Sequence, residues 1–170
     1  MTAVSSISNV MKLLEGIPDP EVPVLSILDL GIVRDVRIYP ALGETLGVTV
    51  MITPTYNGCP AVDVIRMNIR MTLAAAGYNP VDIRTTLTPA WSTEWMTDAA
   101  REKLQAFGIA PPNSVPVVCS LDLFQQDESV TCPRCGSYHT EMVSRFGSTA
   151  CKALYRCLDC KEPFDYFKSH

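Results

Sequence analysis

Two Cys-x-x-Cys pairs, Cys132-Pro133-Arg134-Cys135 and Cys157-Leu158-Asp159-Cys160, stand near the carboxyl end with 21 residues between them. Each two-residue spacing lets a tight turn direct both sulfurs at one ion, and two such turns supply the four thiolates of a tetrahedral site. The interval is slightly longer than the usual ribbon range, yet it can hold a hairpin, predicted over Glu141–Phe146 and Ala153–Tyr155. Roughly 40 residues cannot enclose a sufficient apolar core, so a module of this size needs a metal or disulfides. Metal binding itself then drives folding, with apparent energies on the order of 10 kcal/mol at neutral pH. Four thiolates leave no coordination position open, which predicts a structural rather than a catalytic site. Zinc is the default ion, while iron or an iron–sulfur cluster uses similar ligands. Cys151 is a fifth thiol in the same stretch. It reads first as a buried hydrophobe, with an auxiliary ligand or a transient metal donor as alternatives. His139 is expected on the surface, and His170 as an incidental terminal group.

Composition supports the metal reading. The chain has 170 residues, a net charge of -4, 47% hydrophobic and 19% charged residues, as befits a globular protein without general attraction for phosphate backbones. Nucleic acid is therefore disfavoured as a partner. No basic segment leads into an apolar run at the amino terminus, and Pro, Asp or Arg interrupts each hydrophobic stretch before it could span a bilayer. A cytoplasmic protein with no membrane partner is expected, and there thiols stay reduced. Besides the five clustered cysteines, the sequence holds Cys59 and Cys119.

The remainder reads as an α+β domain. Ile7, Val10, Met11 and Leu14 recur at helical spacing behind Ser5 and Ser6, and Pro18 and Pro20 forbid continuation past about Gly16. Strands are predicted over Ile32–Tyr39 and Leu46–Ile52, joined by turn chemistry at residues 40–44. A helix from about Pro60 to Ala76 follows, with Val62, Ile65, Ile69, Leu73 and Ala76 on one face and Gly77 closing it. A third strand is predicted over Val81–Leu87 and a last helix over Thr97–Phe107. The order helix, strand, strand, helix, strand, helix implies a mixed or antiparallel sheet. The predicted division is 1–109 for this domain, 110–130 for a linker with a strand embedded at Val117–Phe124, and 131–170 for the zinc-ribbon-like module.

One cysteine stands apart. Tyr56-Asn57-Gly58-Cys59-Pro60 joins the second strand to the following helix. A cysteine at a helix N-terminus feels the positive end of the dipole, which favours thiolate. It could then ligate a soft metal or attack an electrophile, but a partly buried inert thiol fits the residues equally well. Asp19 and Glu21, beside prolines in Asp19-Pro20-Glu21-Val22-Pro23, read as capping or solvated acids. Trp91 and Trp95 read as packing residues. No Ser–His–acid set is expected, because both histidines lie in the tail, and a glycine-rich phosphate loop is absent.

These residues carry a resemblance. DPEVPVLSILDLGIV (19–33), VTVMITPTYNGCP (48–60) with the helix after it, and PAWSTEWMTDAAREKLQAFGI (89–109) resemble the SufT-like iron–sulfur assembly family. The tail, CPRCGS followed by FGSTACKALYRCLDCKEPFDYFK, resembles one branch of it, the D proteins of phenylacetyl-CoA epoxidase operons. The resemblance implies a non-enzymatic factor that helps mature iron–sulfur or iron sites in aerobic phenylacetate catabolism. The ferredoxin-type reductase or di-iron oxygenase of the epoxidase would be its client. By the same resemblance Cys59 is the candidate for cluster transfer or iron binding, a transient cluster being its cargo, with Asp19 and Glu21 as the matching acids. One thiol cannot complete a tetrathiolate cluster site, so a homodimer is expected if a cluster bridges two copies. The competing expectations are a stoichiometric non-catalytic subunit of the epoxidase, a nucleic-acid-binding zinc ribbon, and a thiol enzyme without an evident base.

Overall fold

The computed structural model describes residues 6–43, 45–112 and 130–168. The predicted strand at Val117–Phe124, Cys119, the cap Ser5, Glu44 of the turn and His170 lie outside the described residues. Two compact units divide the chain, Met1–Thr97 and Asp98–His170.

In the first unit, helix α1 (Ile7–Glu15) begins at Ser6, whose hydroxyl accepts from the Asn9 N–H, and buries Val10 and Leu14. Ile7, expected on the buried face, is 54% exposed. Strands β1 (Val33–Pro40) and β2 (Leu46–Ile52) form the expected hairpin, with a bulge between Val33 and Asp35. Helix α2 (Ala61–Ala75) buries Ala61, Ile65, Ile69 and Leu73, every fourth residue, so that Ala61 rather than Val62 faces inward. Strand β3 (Tyr78–Thr85) then pairs parallel to β2. The sheet order β1-β2-β3 is therefore mixed. β2 lies in its centre, where Val48, Val50 and Ile52 are at most 1% exposed. The third strand both starts and ends earlier than its alternation predicts, and its pairing with β2 shifts register between Leu46 and Val48. Gly77, at φ +94°, makes the reversal out of α2 that a side chain would oppose.

Between α1 and β1 the chain is irregular but packed, with Ile17, Val22, Leu25, Ile27, Leu30 and Ile32 all buried. Trp91 closes over this segment, its indole N–H donating to the Leu30 carbonyl at 2.8 Å. Trp95 sits in a 3-10 turn (Thr93–Trp95), and the Arg34 guanidinium lies 3.4 Å from its ring centroid.

In the second unit, helix α3 (Asp98–Phe107) runs through Gly108 into β4 (Ile109–Ala110). β4 pairs parallel to β7 (Pro163–Phe167), so the chain leaving α3 enters the ribbon sheet. β5 (Thr140–Ser144) and β6 (Lys152–Cys157) form the predicted tail hairpin, and β7 adds a further antiparallel strand. The order is β4-β7-β6-β5. Its core gathers Ala110, Val130, Cys132, Ala153, Tyr155, Cys157, Phe164 and Tyr166, with Tyr155 stacked on Phe164 and edge-on to Tyr166. Among the described residues, no helix is long and apolar enough to cross a membrane.

Candidate metal centre and thiol site

The two Cys-x-x-Cys segments fold into matching knuckles. In the first, the Cys132 N–H donates to the Ser137 carbonyl at 2.8 Å and the Gly136 N–H donates back to the Cys132 carbonyl at 2.9 Å. In the second, the Cys157 N–H donates to the Glu162 carbonyl at 3.0 Å. The residue four past the leading cysteine is left-handed in both, Gly136 at φ +76° and Lys161 at φ +67°. A glycine meets this demand without strain, whereas Lys161 bears it and donates to the Leu158 carbonyl.

The knuckles bring all four Sγ atoms within 4.8 Å of one another. Cys132 to Cys160 spans 3.8 Å and Cys135 to Cys157 spans 3.6 Å. A tetrahedral ion with sulfurs at about 2.3 Å has sulfur–sulfur edges of about 3.8 Å. The donor set therefore fits zinc in both chemistry and size. Cys132 and Cys157 are buried in the ribbon core, and Cys135 and Cys160 face outward. Held together without a cation, the thiols cannot all ionise. Burial opposes ionisation of Cys157, but the N–H groups of Cys160 and Asp159 and the neighbouring thiols outweigh it and bring that group down to about 6. For Cys160 the Glu162 N–H favours the thiolate, yet burial and the other three cysteines push it up to about 12. Cys157 is thus biased toward the thiolate and Cys160 toward the thiol, a contrast that a bound divalent cation would remove by compensating both charges.

Cys151 is not in this group. It is buried at the opposite end of β6 from Cys157, 3.0 Å from the Thr149 hydroxyl. His139 is exposed and points its Nδ1 at Asp159 rather than at the sulfurs.

Cys59 occupies the other site. Gly58, at φ +81°, turns the chain after β2, and Pro60 caps α2 without a side-chain hydrogen bond of its own. Cys59 Sγ takes over that role, accepting from the Ala61 N–H and from the Tyr56 side chain. The thiol is half-buried. Burial is the largest influence on it and pushes its pKa up from the ordinary thiol range, and the charges of Glu21 and Asp19 act in the same direction. The helix terminus was expected to favour thiolate. Desolvation and two nearby carboxylates override it. The fold thus brings Asp19 and Glu21 from the loop after α1 to the head of α2, without making a three-ligand metal group of them among the described residues. Asp19 is 6% exposed, and its Oδ1 accepts from the N–H groups of Glu21 at 2.9 Å and Val22 at 2.8 Å. It builds the loop that presents Glu21. Tyr56 was missed in the sequence, since only the fold reveals that its hydroxyl reaches a sulfur three residues on.

A second feature escaped the sequence reading. Ser137, His139 and Asp159 do come together. Ser137 donates to Asp159, not to the histidine, so this is not a nucleophile with its base.

Comparison with known proteins matches a family to most of each unit. The family described as iron-sulfur cluster assembly protein matches residues 7–83, and that described as PaaD zinc beta ribbon domain matches residues 118–168. A conserved hypothetical protein of Thermotoga maritima has a similar structure, with a TM-score of 0.50 and 27% identity, covering 61% of this chain and 98% of its own. An Fe-S protein maturation auxiliary factor of Porphyromonas gingivalis is 33% identical over 97 residues, covering 56% of this chain and 88% of its own. A protein of Escherichia coli K12, provisionally named as the D component of 1,2-phenylacetyl-CoA epoxidase, is 49% identical over 162 residues, 95% of this chain and 92% of its own. Fold and ligands together define the class, an iron–sulfur assembly domain joined to a zinc ribbon. The chain belongs to the PaaD family, that of the phenylacetyl-CoA epoxidase D component.

Proposed function

We propose that this protein is a non-catalytic cytoplasmic factor that delivers iron or an iron–sulfur cluster to the phenylacetyl-CoA epoxidase, with its ferredoxin-type reductase as the client. The observation that carries the reading is the setting of Cys59. It is a lone, half-buried sulfur at a helix head, beside Glu21 and Asp19 and in a different unit from the closed four-thiolate site. Raised above the ordinary thiol range, Cys59 stays protonated at rest and so resists oxidation and alkylation. An arriving iron cation compensates the nearby carboxylates and displaces the thiol proton. The cargo is then bound by one protein sulfur, which leaves positions open for the client's own cysteines. In this scheme Cys132, Cys135, Cys157 and Cys160 hold zinc permanently and take no cargo. A cluster held between two copies would need the thiol of each, which makes a loaded homodimer part of the proposal.

The test compares wild type with Cys59→Ser, both purified without oxygen. The expected result is unchanged zinc in both and loss of iron and acid-labile sulfide in the variant, together with poor cluster loading of the co-expressed reductase. Normal loading by Cys59→Ser overturns the role of the thiol.

The provisional name of the Escherichia coli relative favours a second reading, a stoichiometric subunit of the epoxidase. Pull-down of the epoxidase separates the two. A true component persists at a fixed ratio, and an assembly factor departs after loading.

A further inference from the structure

Cysteine knuckles separated by 21 residues have no covalent tie to each other in the absence of metal. We propose that Ser137, His139 and Asp159 form a clasp across the two knuckles that sets how slowly the four-thiolate site releases its metal. Asp159 lies inside the second Cys-x-x-Cys, between Cys157 and Cys160, whereas Ser137 and His139 closely follow the first. One carboxylate thereby reaches two residues of the opposite knuckle. Its Oδ2 accepts from the Ser137 hydroxyl, and its Oδ1 lies 3.1 Å from His139 Nδ1.

The backbone repeats the crossing. The Leu158 N–H, also inside the second pair, donates to the His139 carbonyl at 2.8 Å. The clasp is braced from within as well, because the His139 N–H donates to Ser137 Oγ at 2.9 Å, fixing the hydroxyl that serves Asp159. Ser137 in turn holds Cys132 through its carbonyl, 2.8 Å from the Cys132 N–H. A chain of hydrogen bonds therefore runs from one ligand residue, across the gap, to the interior of the other ligand pair.

Metal leaves such a site by the stepwise detachment of thiolates, and detachment needs the two turns to part. The clasp opposes that parting. Hydrogen-bonded groups behind the ligands commonly change metal affinity by about 10- to 100-fold. His139 and Asp159 have 67% and 56% exposed side chains, so the lower end applies, and an effect on global stability is not expected. These are positioning residues. None of them touches the ion.

The proposal rests on the four sulfurs binding zinc, and the experiment keeps the two failures apart. The zinc-loaded full-length protein is mixed with excess 4-(2-pyridylazo)resorcinol, and zinc transfer is followed by absorbance. Wild type is expected to carry one zinc per chain. Absence of zinc from wild type overturns the metal site itself. With zinc present, Asp159→Ala is expected to release it about 10-fold faster. His139→Ala acts in the same direction, and Ser148→Ala, removing an exposed hydrogen bond to Asp165 elsewhere in the ribbon, leaves the rate unchanged. The double variant His139→Ala/Asp159→Ala releases no faster than Asp159→Ala alone, because loss of the carboxylate already removes the imidazole's link across the knuckles. The cobalt-substituted Asp159→Ala protein keeps the absorption of a four-sulfur tetrahedral site, showing that no ligand was lost. A wild-type release rate in Asp159→Ala, or a double variant whose effects multiply, overturns the clasp. Should Asp159→Ala purify without metal, the comparison passes to His139→Ala, whose wild-type rate overturns it equally.

Discussion

Cys59 receives opposing influences from its neighbours, and their balance can be measured. Desolvation and the carboxylates of Glu21 and Asp19 raise its pKa, while the Ala61 N–H and Tyr56 lower it. The folded thiol therefore ionises above its unfolded value, so its contribution to stability is present below that value and lost as pH climbs through the folded one. In a pH series of iodoacetamide labelling, the midpoint at Cys59 should lie higher in the folded protein than in the urea-unfolded protein. Tyr56→Phe removes a group that stabilises the thiolate. Its labelling at fixed pH should be slower than wild type, while Glu21→Gln should be faster. A faster Tyr56→Phe would show that the hydroxyl does not act on the sulfur. Cys59 and the acids were legible as residue types in a recognisable pattern, but the direction of the shift was not. A helix dipole can be inferred from one segment, whereas burial and the approach of Glu21 depend on a loop 38 residues away.

At the scale of elements, periodicity carried most of the information. The alternation of Val48, Val50 and Ile52 located β2 within its observed bounds, and the three- and four-residue spacing after Pro60 located α2 to within a residue. β7 was missed because Pro163-Phe164-Asp165-Tyr166-Phe167 is short and begins with proline, a weak strand signal that the first position of a strand nonetheless tolerates. The irregular stretch before β1 was unreadable for a different reason. Its order depends on distant partners, such as Trp91 on Leu30 and Trp95 against Gly31. Gly31 has φ +65°, and a Cβ there would meet Trp95 Cβ at 2.8 Å. Gly31→Ala should therefore cost more than about 1 kcal/mol in urea unfolding, because it adds a clash to backbone strain. Thr53 offers the opposite case. It is 1% exposed, and its hydroxyl finds no hydrogen-bond partner among the described residues. Thr53→Val should stabilise the protein by about 1 kcal/mol in the same assay, and a loss of that size would reveal a partner for the hydroxyl.

For the molecule as a whole, the two units depend on different forces. The first has a continuous aliphatic core around β2 and α2. In the second, two of the metal ligands, Cys132 and Cys157, are themselves members of the core. Removing zinc should therefore unfold the ribbon unit and spare the other, since metal binding contributes on the order of 10 kcal/mol to such modules. Hydrogen exchange after chelation should show loss of protection over β5, β6 and β7 with β1, β2 and β3 unchanged. Acidification should act in the same way, because protons compete with metal for the thiolates.

The pairing of β4 with β7 carries a practical consequence for dissection. Residues 131–170 contain every cysteine ligand and look self-sufficient, but excised they would leave β7 with a bare hydrogen-bonding margin flanked by Phe164, Tyr166 and Phe167. Such a margin invites strands from other molecules, so that fragment should self-associate at concentrations where 98–170 remains monodisperse. The smallest well-behaved piece of the tail is thus expected to begin with a helix that has no cysteine at all.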